Sequence, residues 1–193
     1  VILFLIASLG FWFFRTSCKA EEEKDKKLLD KKISELADES VFLRFKVVER
    51  DESSLRVAMK FYDLDGNVIR KIEPTLKMRN LVFDFIYVKI CKQTLIFPYQ
   101  LFVDSALQER NFKIFPLYEK NDFPNIFYTE NKDSFLKKQL SEIFELVKSD
   151  DMKSLNEKYD TAFHARKTIF YLREKEVYKI IFRKKGIIEI CQE

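Results

Sequence analysis

Glycine is scarce in this chain: three among 193 residues, beside four prolines, three cysteines and one histidine. Each scarcity removes a class of chemistry. Loops that cradle phosphates need several closely spaced glycines, so nucleotide sites of that kind are excluded. Cys18, Cys91 and Cys191 are too few and too scattered for a disulfide framework. Cys91 and Cys191 could pair only if the strands carrying them were neighbours; otherwise both are free, buried thiols. One histidine, with no cysteine pair at ligand spacing, leaves no zinc set, and no metal or cofactor is expected. Neither sign of charge dominates. Thirty-five basic residues are interleaved with thirty-one acidic ones, a net charge of +4, which gives no basic stripe for nucleic acid.

What is present begins with a long apolar run. Val1 to Phe14 carries no charge, and Arg15 opens a dense charged stretch. Fourteen helical residues cover about 21 Å, short of the roughly 30 Å hydrocarbon core. Trp12 and Phe13 stand beside Arg15 and Lys19, the arrangement found where a membrane helix meets water. A signal anchor over 1–15, with Leu5, Trp12 and Phe13 among its membrane-facing residues, is the preferred reading. A cleaved secretory signal with Ser8 and Gly10 near the cut is one alternative, and a lipoprotein tether at Cys18 is another.

Residues 16–40 form a charged helical stalk, free of proline and glycine. Leu29, Ile33 and Leu36 share one face, too short a seam for a sustained coiled coil; it packs on its own domain or supports weak self-association.

From Val41 the period becomes two. Leu43, Phe45 and Val47 alternate with charged residues, and Leu55, Val57, Met59 and Phe61 alternate on the return. Asp63-Leu-Asp-Gly-Asn67 reverses the chain into Val68–Ile72. It resembles a calcium loop only superficially: Gly66 follows the second aspartate directly and Glu73 misses the closing register. A hairpin turn, with Gly66 or Asn67 at positive φ, explains it. Leu81–Ile90 is large and apolar on both faces, as a central strand would be.

Residues 97–128 hold three of the four prolines among many aromatics, which predicts short strands and ordered loops. Asp133 or Ser134 caps a helix with a stripe of Leu136, Leu140, Ile143, Phe144 and Val147. A second helix starts near Ser149 or Asp150 and turns Met152, Leu155, Tyr159 and Phe163 inward. His164 falls at its end, where a cation suits the helix dipole. Thr168–Arg173, Val177–Arg183 and Ile187–Cys191 read as three closing strands joined by tight hairpins.

The fold class expected is α+β, mainly β. An antiparallel, sandwich-like β-rich domain over 41–193, with two inserted helices, follows the membrane helix and stalk. No catalytic residues are assigned. The one candidate binding surface is aromatic, Phe97, Tyr99, Phe115, Tyr118 and Tyr128, because aromatics among prolines can line a groove for peptides or glycans. The function expected is a single-pass, membrane-anchored binding or scaffolding module of the cell envelope. It is not an enzyme, its domain is extracytoplasmic (periplasm or cell surface), and its partners are the membrane and envelope proteins. An envelope enzyme with a dispersed active site, or a cytoplasmic-facing adaptor, is the alternative.

Overall fold

A computed structural model describes residues 20–193 except 78–79, 103–110, 131–132, 170–171 and 184. The membrane-anchor residues Leu5, Trp12 and Phe13 lie outside the described residues. Among the described residues no helix is long and apolar enough to cross a membrane.

The fold is α+β and mainly β, with antiparallel sheets and three α-helices among the described residues. Helix α1 spans 20–34. Strands β1 (Glu39–Arg50), β2 (Leu55–Tyr62), β3 (Val68–Ile72) and the two-residue β4 (Thr75–Leu76) follow as a meander. Next come β5 (Leu81–Ile90), β6 (Gln93–Phe102) and β7 (Phe112–Lys113), then a small hairpin of β8 (Glu119–Lys120) and β9 (Phe123–Pro124). Helices α2 (Ser134–Lys148) and α3 (Met152–Lys158) precede β10 (Thr161–Ile169), β11 (Val177–Arg183) and β12 (Ile187–Gln192).

Six strands form one sheet in the order β12-β11-β1-β2-β3, with β4 also on β2; four form the second in the order β10-β5-β6-β7. The sheets meet through rings. Phe42 and Phe182 of the first sheet stand edge-on to Phe85 of the second, and Phe45 lies 6.0 Å from Phe83. Helix α2 covers the opposite face of the second sheet, its Phe144 stacked 6.1 Å from Phe97. Strand β5 is therefore buried on both faces, as its large apolar residues on both sides require, with Asp84 the polar exception among the buried positions.

Two β-bulges set where large side chains point. In β1 the register with β11 slips between Val41 and Leu43, so Phe42 is the extra residue and both Phe42 and Leu43 turn inward. In β6 the slip falls at Tyr99, beside Pro98. Proline cannot donate to the ladder, and its carbonyl instead accepts the Tyr118 hydroxyl at 2.9 Å. Tyr118 is fully buried, so Tyr118→Phe should cost about 1–2 kcal/mol in chemical denaturation.

The turn after β2 is a hairpin. Asp63 Oδ1 accepts the Asn67 amide at 2.7 Å, and Gly66 adopts φ +80°. A Cβ there would meet no atom, so Gly66→Ala should lose about 1 kcal/mol from backbone strain alone, read as a shift in denaturation midpoint.

Helix α1 is docked into the domain. Leu29 and Ile33 belong to its core, and the Asp30 carboxylate accepts the amides of Lys92 and Gln93 at the β5–β6 turn. Lys32 pairs with Asp133 at 2.9 Å. Burying Leu29 and Ile33 contributes about 1.5–3 kcal/mol each, whereas an exposed ion pair gives 0–1, so the apolar stripe carries the docking. Those two side chains are consequently not free to meet a second chain.

The region after α3 departs from the sequence reading. The helix stops at Lys158, and 161–169 is a strand rather than the end of a helix followed by a strand at 168–173. Asp160 explains the change: its amide donates to the Lys89 carbonyl and its carboxylate accepts the Cys91 amide at 2.6 Å. That pulls the chain onto the free edge of β5. Phe163 is consequently half exposed, stacked on Tyr87 at 5.1 Å. Strands β10 and β11 belong to different sheets and form no hairpin. Cys91 sits in the β5–β6 turn and Cys191 on β12 of the other sheet, and both are free thiols.

Burial pushes the phenols of Tyr87, Tyr118 and Tyr159 above their ordinary value near 10. Unfolded tyrosines ionise first, so stability is complete below about pH 10 and falls as pH rises through the raised values. The expected result is a cooperative alkaline transition in which tyrosinate absorbance and loss of structure coincide. Free titration of all eight tyrosines near pH 10 in the folded chain would contradict it.

Candidate functional site

The expected aromatic surface is largely interior. Phe97, Tyr99 and Tyr118 are buried between β6, α2 and the segment after β7, where they pack on Phe144, Phe115 and Phe127. The bulge at Tyr99 and the Pro98 carbonyl hold them there, so they form core and not a groove. Phe115 is half-buried against Tyr99. Tyr128, also half-buried, borders an open cleft of about 520 Å³.

The structure assembles instead a polar cluster that the sequence does not announce. His164 on β10 lies diagonally across from Asp84 on β5, on the face of the sheet that the helices cover. His164 Nδ1 is 2.9 Å from Asp84 Oδ2, and Nε2 is 2.8 Å from Asp150 Oδ1. Asp150 stands in the α2–α3 connection at φ +58°. Gln100 Nε2 donates to the same Asp84 oxygen at 3.2 Å, and the edge of the Tyr99 ring closes one side of the imidazole. Asp84 is 2% exposed, and its Oδ1 is buried with no hydrogen-bond partner among the described residues.

A buried carboxylate behind Nδ1 is the arrangement that orients a catalytic histidine, but a general base also needs a free second nitrogen. Here both are taken. Both ring nitrogens are engaged by carboxylates, whichever tautomer is present. The cluster is a hydrogen-bonded clamp that ties the α2–α3 connection to the second sheet. It also replaces the helix-dipole role expected of His164, since that residue is in a strand. No sequence signal could have found it: Asp84, Asp150 and His164 are unremarkable in their own segments and only strand pairing joins them.

A second charged cluster lies at the end of α2. Lys148 Nζ reaches Glu119 at 2.7 Å and Asp122 at 3.2 Å, and it also pairs with Glu145. Burial disfavours its charge, but the hydrogen bonds it donates to those carboxylates outweigh burial and hold the ammonium above its ordinary range. Among the described residues, Glu119, Asp122 and Glu145 are the acids close enough to share a metal ion. The lysine ammonium already occupies the position between them.

A groove of about 740 Å³ separates α1 from α2 and α3, with Leu29, Leu146 and Tyr159 among the residues that line it and Glu22, Glu142 and Glu157 alongside. No family model matches this chain, and no curated protein or solved structure is similar to it.

Proposed function

We propose that this chain is a membrane-held binding or scaffolding module without a catalytic role. Residues 1–14 anchor it, and the β-rich head stands on the extracytoplasmic side, in the periplasm or at the cell surface, where it engages protein partners of the envelope. One observation carries the reading. The uncharged run ends at Phe14, and α1, already locked into the core of the head by Leu29 and Ile33, is described from residue 20 onward. Five residues, 15–19, span at most about 18 Å. An anchor in 1–14 would therefore hold the head close to the membrane surface, suiting a component that assists neighbours in the same bilayer. The closed Asp84–His164–Asp150 clamp supports the non-catalytic part, because it offers a substrate no free ring nitrogen.

Membrane fractionation tests this. The full chain should remain in the pellet after an alkaline carbonate wash, and Leu5→Arg should release a substantial fraction, since a central arginine costs about 2.5–3.5 kcal/mol on insertion. Recovery of the unmodified chain in the supernatant would refute the anchor. In a Cys91→Ser, Cys191→Ser background, a membrane-impermeant thiol reagent should label Cys18 in intact cells. Labelling only after lysis would place the head on the cytoplasmic side, and a blocked thiol with added mass would identify a lipid tether.

A further inference from the structure

The cleft beside Tyr128 has the form of an anion site. It lies between the β2–β3 turn, the start of β3, the β8–β9 hairpin and α2, and its lining includes Lys120, Asn121, Asn125, Tyr128, Lys137 and Val68. Its volume, about 520 Å³, falls in the range of small-ligand pockets. Asp63 also lines the cleft, with its carboxylate hydrogen-bonded within its own turn. Asp63 is 7% exposed, and its two oxygens accept the Asn67 backbone amide at 2.7 Å and the Asn67 carboxamide at 3.2 Å.

The two ammonium groups contrast with the paired lysines nearby. Lys32, Lys148 and Lys158 each reach a carboxylate within 3 Å. Lys120 and Lys137 reach none among the described residues; Lys137 Nζ rests 5.9 Å above the Phe123 ring. The Asn121 and Asn125 carboxamides likewise make no hydrogen bond among the described residues, which leaves donors and acceptors turned to the same opening. The hairpin holds them stiffly. Asn121 and Asp122 take φ of +53° and +57°, the two left-handed positions of a tight turn, and Lys148 ties Glu119 and Asp122 to α2. Val68, 46% exposed, and Tyr128 add an apolar wall.

Two unpaired cations, two free carboxamides and an aromatic wall within one small cleft match a compact polyol that bears an oxyanion. We propose that this cleft binds a sugar-sized polyol carrying one carboxylate or phosphate group. The ammonium groups take the oxyanion, the asparagines the hydroxyls, and Tyr128 with Val68 the C–H face. The site does not depend on the membrane reading.

Isothermal titration of the full chain in a polyoxyethylene detergent, with glucuronate, glucose 6-phosphate and glucose, tests it. At least one of the two anions should bind, with glucose at least tenfold weaker; the tighter of the two identifies the oxyanion. Lys120→Met and Lys137→Met should each weaken that binding about tenfold, Lys137→Arg should retain most of it, and thermal unfolding should be unchanged in all three. Binding of neither anion, equal binding of glucose, or affinity that survives both methionine substitutions would overturn the proposal. Should a methionine variant unfold, Asn125→Ala supplies the same comparison, with an expected several-fold loss.

Discussion

Replacing His164 with alanine should lower the free energy of unfolding by about 2–4 kcal/mol, a large effect for a side chain on an edge strand. The cost falls on Asp84 and not on the histidine. Asp84 is 2% exposed and one of its oxygens has no partner among the described residues, so the 2.9 Å contact with His164 is a large share of its hydrogen bonding. Without the ring, Gln100 at 3.2 Å is what the carboxyl group retains, and a buried polar group short of partners is among the costlier defects a fold can carry. The effect should be strongly non-additive. In the double variant Asp84→Asn, His164→Ala the under-bonded carboxyl group is gone, and about half of the loss should return. Asp150 is half exposed, so Asp150→Ala should cost under about 1 kcal/mol. Urea denaturation of the parent chain, Asp84→Asn, His164→Ala and the double variant gives the cycle, with Asp150→Ala measured beside it. A loss below about 0.5 kcal/mol in His164→Ala would show that the clamp contributes nothing.

Phe42→Ala should cost about 3–5 kcal/mol, and Phe42→Leu clearly less. The ring stacks 4.6 Å from Phe182 and lies 6.3 Å from both Phe61 and Phe85, so it joins neighbouring strands of the first sheet to the face of the second. Its loss would open a cavity where the two sheets meet, and dense packing leaves neighbours little freedom to fill it. Phe163→Ala is the useful contrast. That ring is 48% exposed and stacked on Tyr87 alone among the described aromatics, so truncation should cost about 1 kcal/mol or less. Equal losses in the two variants would mean that the sheets are not joined through Phe42.

Local pattern carried much of the architecture. The stripe Leu136, Leu140, Ile143, Phe144 and Val147 is the buried set of α2, and Asp133 caps that helix through the Leu136 amide. Alternation likewise marks Phe45 and Val47 in β1 and Leu55, Val57, Met59 and Phe61 in β2 as inward-facing. These features depend on spacing along one segment, which a helix or strand converts directly into a face.

Where pattern and structure part, a contact distant in sequence intervenes. Met152, Leu155, Tyr159 and Phe163 keep helical spacing, yet Asp160 hydrogen-bonds across to Lys89 and Cys91 and converts the chain to a strand before Phe163 is reached. Phe42 breaks the alternation of β1 because a bulge against β11 turns it inward. Tyr99 and Tyr118 look like a binding surface in a proline-rich stretch, but the bulge at Tyr99 and the bond from Tyr118 to the Pro98 carbonyl place both in the core.

By itself the sequence determined the charge boundary at Arg15, the β-rich character of the chain, the hairpin at Gly66 and the amphipathic helix from Ser134, because each follows from residue type and local period. Only the tertiary structure decided which sheet each late strand joins, that α1 is part of the head, and that Asp84, Asp150 and His164 meet. The reason is physical: those outcomes rest on ladder hydrogen bonds such as those that pair Glu39 with Arg183, and on a His164–Asp84 contact between residues eighty positions apart, and no local propensity encodes a contact that only closure of the sheets creates.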